Sequence, residues 1–364
     1  MAYIDKITNE ILGALRPRSS EIVRCRFGLG AEEPQTLEAI AQPLGITRER
    51  VRQIQEDSLS ELRPLAIHNK NLAKIIVLAK KNLSQSFGAG HYYDTAHDVI
   101  SKVDPGRIND GLVRKTVFLL RLVPEAIFYH PEDDYHYHFF AVSRDHAEEV
   151  KKRTKKILAF FENEPVIHKS RVLDALEDIF LERKASAEAV LRFLRILKTL
   201  DENPYNEIGL RDHPRINPKN TRERIYVVLL KHGQPMHFRE LADQLNQLPG
   251  LASTASRDGV TGREFLNRAW QKAVHHQTVH NDLIRDPRFV LIGRGIYALK
   301  EWNYEPGTVK DVLIDILKEK RRLSADELVK EALRQRQVKP ATVLINLHDK
   351  KTFVKKSDGN YTLL

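Results

Sequence analysis

Residues 36–62 read TLEAIAQPLGITRERVRQIQEDSLSEL, and the placing of threonines, glycine and apolar residues in this stretch decides the fold around it. Thr36 stands where a helix LEAIAQPL needs its cap, with Glu38 near the positive end. Gly45 supplies a tight turn, and Thr47 caps a second helix from Arg48 to about Leu62. In that second helix Val51, Ile54, Leu59 and Leu62 share the inward stripe, which leaves Arg48, Glu49, Arg52 and Gln53 facing outward. Pro43 lies inside the first helix, where a missing N–H costs about 3 kcal/mol, so that helix is expected to be short or kinked. Upstream, SSEIVRCRFGLG places Ile22, Val23 and Phe27 at helical spacing behind a cap at Ser19, with Gly28 and Gly30 ending the element.

The outward set has the chemistry of a major-groove reader: Arg for guanine, Gln for adenine, Glu for the cytosine amino group. The longer stretch RCRFGLGAEEPQTLEAIAQPLGITRERVRQIQEDSLSELRPL, and ITRERVRQI above all, resembles region 4 of the sigma-70 family over about residues 16–66. That resemblance implies binding to a −35 promoter element and docking on core RNA polymerase. It implies base reading by Arg48, Glu49 and Gln53, with Arg50 and Arg52 near phosphates and Thr47 at the start of the helix. The sequence departs from the family pattern at Ala39 and Pro43. Complete sigma factors also carry a region that binds the polymerase clamp and melts the −10 element. About 18 residues precede the match here, which favours a regulator or polymerase accessory.

The C-terminal end reads as three helices and a hairpin. Val309, Val312, Leu313, Ile316 and Leu317 share one face, Ser324 caps a second helix with Leu328, Val329, Ala332 and Leu333, and Pro340 opens a third. Phe353–Lys356, Ser357–Asn360 and Tyr361–Leu363 then read as strand, turn and strand. A similar order precedes it. Thr221 caps RERIYVVLLKHG, FRELADQLNQL follows, a long helix runs from Phe265 to about Ile284, and Phe289–Ile292 meets Ile296–Leu299 across Gly293, Arg294 and Gly295. Residues 221–306, closing on DPRFVLIGRGIYALKEW, resemble the HARE-type winged helix-turn-helix, which includes the N-terminal domain of the RNA polymerase delta subunit; residues 307–364 resemble a divergent copy. This implies a role in transcription or chromatin, and HARE domains also stand beside restriction enzymes. Candidate phosphate contacts are Lys339, Thr342, Asn346 and Lys350 along the third helix, with Arg294, Lys355 and Lys356 at the hairpin tips.

Between these ends, helices are expected at Lys70–Ser84, Gly111–Leu122, from about Lys151 with the basic run KKRTKK, and at Ala187–Leu200. A hairpin of Ile127–His130 with Tyr135–Val142 suggests another winged unit. In HPEDDYHYHFF, alternation puts His136 and His138 on one strand face with no third ligand, which reads as a solvated face. His276 and His280 stand four apart in HQTVH, without the glutamate a zincin base needs. No metal site and no cofactor are expected.

The chain of 364 residues carries 59 Lys+Arg against 49 Asp+Glu, a net +10 at pH 7, which suits a phosphate-bearing partner. Counted by region, residues 1–66 carry −1, 67–205 +2, 206–306 +4 and 307–364 +5, so the excess lies in the C-terminal half. A single cysteine, Cys25, excludes an internal disulfide and a CxxC zinc ribbon and is expected to pack as a small apolar group. No run of about 18 apolar residues occurs, and MAYIDKITNEILGALRP lacks a basic start leading to an apolar core; a cytoplasmic, nucleoid-associated protein with no membrane partner is expected. No Walker loop, glycine-rich phosphate fingerprint or GxSxG elbow appears, so no enzyme is expected.

The expected fold is mainly α: tandem helix-turn-helix and winged-helix domains with small β-hairpin wings. The expected divisions are 1–66, 67–145, 146–218, 219–306 and 307–364. The expected partners are double-stranded DNA and core RNA polymerase. Two alternatives stand beside promoter recognition: a delta-like accessory acting mainly through protein contacts, and the specificity component of a nucleic-acid-processing or restriction system.

Overall fold

The computed structural model describes residues 2–30, 33–106, 108–180, 185–248, 270, 272–304, 307–335 and 338–364. It is mainly α-helical with small antiparallel sheets. The described residues fall into two compact units, one comprising those of Met1–Glu202 and Asn206–Ile216, the other Asn203–Tyr205 and the described residues from Asn217 onward.

The first unit opens with α1 (Tyr3–Leu12), α2 (Pro17–Phe27), α3 (Leu37–Leu44), α4 (Arg48–His68) and α5 (Lys70–Ser84). α2 starts two residues before the expected Ser19 cap. Pro17 occupies its first position, where a fixed φ suits the helix and the missing N–H would have had no partner. α3 has eight residues and carries Pro43 in its last turn, before Gly45 at φ 62°. α4 runs on past Leu62 and through Pro64, because Leu62 and Ala66 are both buried in the main core. That core joins Ile4, Ile7 and Leu12 of α1 to Leu72 and Ile75 of α5 and to Val99 and Phe118 further along, so packing is continuous across position 66. α1 has no cap of its own. The carboxylate of Asp104 takes that role, accepting from the Tyr3 and Ile4 amides at 2.8 and 3.0 Å.

From α5 onward one order of elements recurs four times. The first instance is α5, β1 (Ala89–His91), α6 (Tyr92–Val103), α7 (Asp110–Arg121), β2 (Phe128–His130) and β3 (Phe139–Ala141), with sheet order β1-β3-β2. The second is α8 (Arg144–Asn163), β4 (Val166–His168), two single-turn helices α9 (Val172–Ala175) and α10 (Glu177–Phe180), α11 (Ala187–Leu194), β5 (Leu200–Glu202) and β6 (Glu207–Leu210), in order β4-β6-β5. α8 begins at Arg144 behind Ser143, so KKRTKK lies mid-helix and not at its start. α11 stops at Leu194 and not at Leu200. Ile196 and Leu197 enter the core and Tyr137 N donates to Ile196 O at 2.9 Å, freeing Leu200 to begin a strand.

The second unit holds the other two instances. α12 (Thr221–His232) is capped by the Asn220 side chain, which accepts from Glu223 N at 3.0 Å; Thr221 is inside the helix. β7 (Met236–His237), α13 (Phe238–Gln247), α14 (His276–Arg285), β8 (Phe289–Gly293) and β9 (Ile296–Leu299) follow, in sheet order β7-β9-β8. The long helix expected from Phe265 is not continuous to Ile284. Asn246 holds Val274 by both N–H and C=O at 2.9 Å, and His275 caps α14 by accepting from Gln277 N at 3.2 Å; residues 265–269 lie outside the described residues. Last come α15 (Val309–Lys320), α16 (Ala325–Gln335), α17 (Pro340–Leu347), β10 (Phe353–Lys355) and β11 (Tyr361–Leu363), with Leu323 bridged to Tyr361 where a first strand would stand. Thr308 and Asp311 form a reciprocal capping box at the start of α15.

Candidate nucleic-acid interface

The helix pair α3–α4 is built by local chemistry. Thr36 Oγ1 accepts from Ala39 N at 3.1 Å and Thr47 Oγ1 from Arg50 N at 3.1 Å, while Gly45 takes the left-handed conformation between them. A small separate core of Ile22, Ile40, Ala41 and Val51 fixes the angle, with Cys25, Leu37, Leu44, Ile46 and Ile54 half-buried around it. This core is too small to hide the start of α4, so Thr47, Arg48, Glu49, Arg50 and Gln53 are all exposed and Arg52 is partly so.

The exposed side chains are already organised. Arg52 forks between Glu49, at 2.7 Å, and Glu56, at 2.5 Å. The hydrogen bond from Arg52 pulls the Glu49 carboxyl below the usual carboxylate range, and the same bonds raise the Arg52 guanidinium further. Arg50 donates to Gln53 Oε1 at 3.2 Å. Arg48 has no hydrogen-bond or ion-pair partner among the described residues. The first two turns of α4 therefore present one uncommitted guanidinium, an arginine–glutamine pair, and an arginine held between two acids. Sequence reading missed Glu56; its signal was the i,i+4 spacing from Arg52.

The remaining candidates lie in the second unit, away from this cluster in the chain. Arg294 is exposed at the β8–β9 turn, where Gly295 has φ 75° and a Cβ would meet His237 Nε2 at 2.6 Å. Lys339 and Thr342 are exposed at the start of α17. Asn346 is partly exposed and spends its amide on Thr342 O at 2.8 Å, and Lys350 lies past the helix end. The exposed face of α17 is also apolar, with Ile345 67% and Leu344 40% exposed. At the hairpin, Lys355 and Lys356 are exposed, with the Lys355 ammonium 5.8 Å from the Tyr361 ring.

The histidine-rich segment is structural where it was expected to be solvated. His136 is buried, its Nδ1 within 2.9 Å of Asp133 Oδ1 and its Nε2 2.9 Å from Thr154 Oγ1 on α8. His138 is half-exposed and its Nδ1 accepts from Glu132 N at 3.0 Å. Among the described residues no group of three His, Cys, Asp or Glu side chains is placed to hold a metal ion. Among them, too, no helix is long and apolar enough to cross a membrane.

Comparison with known proteins places a likeness on this same region. The family described as Sigma-70, region 4 matches residues 11–64. The chain is 50% identical over 54 residues to the RNA polymerase principal sigma factor HrdC of Streptomyces coelicolor, which is 15% of this chain and 16% of that protein. It is 40% identical over 60 residues to the RNA polymerase sigma factor RpoD of Neisseria gonorrhoeae, 16% of this chain and 9% of the relative. With the RNA polymerase sigma factor RpoS of Coxiella burnetii it shares 54% over 52 residues, 14% of this chain and 15% of the relative. The likeness thus spans less than a fifth of the length of these relatives.

Proposed function

We propose that the chain is a non-enzymatic, cytoplasmic DNA-binding transcription protein whose α3–α4 pair reads a short promoter-like site of the −35 type. One observation carries this reading: within the segment similar to sigma-70 region 4, the opening turns of α4 are exposed to solvent with Arg48, Glu49 and Gln53 on the surface. Arg50 and Arg52 would neutralise flanking phosphates. The four repeats, each a leading helix, further helices and a closing hairpin, fit winged-helix modules, and the third and fourth fit HARE-type modules like that of the polymerase delta subunit. Their hairpin cations, Arg294, Lys355 and Lys356, suit sequence-independent backbone contacts. Core RNA polymerase is the proposed protein partner.

Selection of bound sequences from a random duplex pool tests this reading. The expected result is one enriched short motif that is lost on Arg48→Ala or Gln53→Ala. A featureless selected pool refutes it.

The exposed Leu344 and Ile345 favour a second reading, in which α17 docks on protein and the chain acts as a polymerase accessory. Association of the full chain with core polymerase that survives Arg48→Ala but is lost on Ile345→Asp would support this role over promoter reading.

A further inference from the structure

We propose that α5 is a second phosphate-binding element, a lysine row that holds duplex backbone flanking the segment read by α4. This rests on the reading of the chain as a duplex-DNA binder and adds a surface outside the segment similar to sigma-70 region 4, which ends at residue 64.

α5 reads KNLAKIIVLAKKNLS, fifteen residues with four lysines and no acid. Leu72, Ile75, Ile76, Ala79 and Leu83 are buried in the main core, which fixes the opposite face outward. That outward face carries Lys70, Lys74 and Lys81, at i, i+4 and i+11, with Val77 between them 65% exposed. Among the described residues none of these three lysines has a hydrogen-bond or ion-pair partner. The denser basic run on α8 behaves differently. There Lys151 pairs with Glu148 at 2.9 Å and Lys152 with Glu149 at 2.7 Å, and Arg153 lies over the rings of Phe87 and Phe180. The α8 run is thus partly neutralised, whereas the outward lysines of α5 are uncompensated along the whole row, and a polyanion is the partner that complements it.

Its placement suits the flank of a bound site. Asn69 alone separates α4 from α5, and it is fixed on both sides: its side chain accepts from Asn71 N and Leu72 N at 3.0 and 2.9 Å and donates to Glu10 at 3.0 Å. At 1.5 Å per residue the row is about 16 Å long, and α5 begins roughly 22 Å along α4 from Gln53. With 3.4 Å between base pairs, a row of this length matches about five pairs of duplex backbone.

The test is the salt dependence of binding by the full chain carrying Lys70→Gln, Lys74→Gln and Lys81→Gln, against a long random duplex and a short duplex limited to the selected site. Three lost phosphate contacts are expected to flatten the slope of log K against log salt by about 2.7 on the long duplex. The short duplex should show the wild-type slope, and the thermal midpoint should be unchanged because all three side chains are exposed. An unchanged slope on the long duplex overturns the proposal while leaving site reading intact. A variant that keeps its DNA slope but loses polymerase association assigns the row to protein and also overturns it. Absence of duplex binding by the wild type overturns both readings.

Discussion

Removing Glu56 should strengthen non-specific DNA binding, and the size of the effect follows from the geometry around Arg52. One guanidinium is shared between Glu49 and Glu56, so the three groups together carry one positive and two negative charges, a sum of −1 on the face offered to DNA. Glu56→Gln keeps the length of the side chain and a helix-favouring residue, brings the local sum to zero, and leaves Arg52 one fewer competitor for a phosphate. If this gains a single backbone contact, the slope of log K against log salt steepens by about 0.9. Between 50 and 200 mM salt that corresponds to a gain that shrinks roughly 3.5-fold as salt rises. Fluorescence anisotropy on a random duplex across this range measures it. Unchanged affinity and slope, or weaker binding, would refute the argument that Glu56 restrains Arg52.

Arg48→Ala should lose about 1–3 kcal/mol of discrimination at one base pair of the selected site, whereas Lys355→Ala should weaken selected and random duplexes alike and lower the salt slope by about 1; competition binding separates the two. Asp104→Ala removes the carboxylate that accepts from two helix amides, one of them that of fully buried Ile4, and should cost about 2–4 kcal/mol, read as a shift of the urea midpoint. Burial holds His136 below the usual imidazole range, so its neutral form stabilises the fold fully above the unfolded value near 6.5 and that contribution fades as pH falls beneath it. Unfolding midpoints should therefore drop from pH 7 to pH 5, more steeply in the wild type than in His136→Gln.

Where the sequence was legible, the cause of structure lay within a few residues. Thr36, Gly45 and Thr47 each act on an amide or turn three residues away or nearer, and α5 falls on Lys70–Ser84 as expected, because its apolar period and flanking Asn69 are local. The start of α2 at Pro17 and the cap of α12 at Asn220 were choices between near neighbours, but the larger misreadings have a long-range cause. α14 begins at His276 because Asn246, 28 residues earlier, seizes the backbone of Val274. His136 is buried because Thr154, 18 residues later, sets its hydroxyl against the ring. The strands β1 and β4 have three residues each and find partners about 40 to 50 positions downstream, so no alternation could announce them. At the site, which side chains face outward was readable from the helical period, but the sharing of Arg52 between two acids was not.

The order of strands has a consequence for how the chain is made. In three of the sheets the strand in the middle is the last of its set to leave the ribosome: β3, β6 and β9 each lie between two earlier segments. β11 likewise pairs with β10 and meets Leu323. Until that final segment emerges, the two earlier ones have no ladder to join and their amides and carbonyls stay in water. Synthesis therefore closes the repeats one at a time, and a stop codon just before any closing strand would leave both neighbours as bare edges open to pairing with another chain.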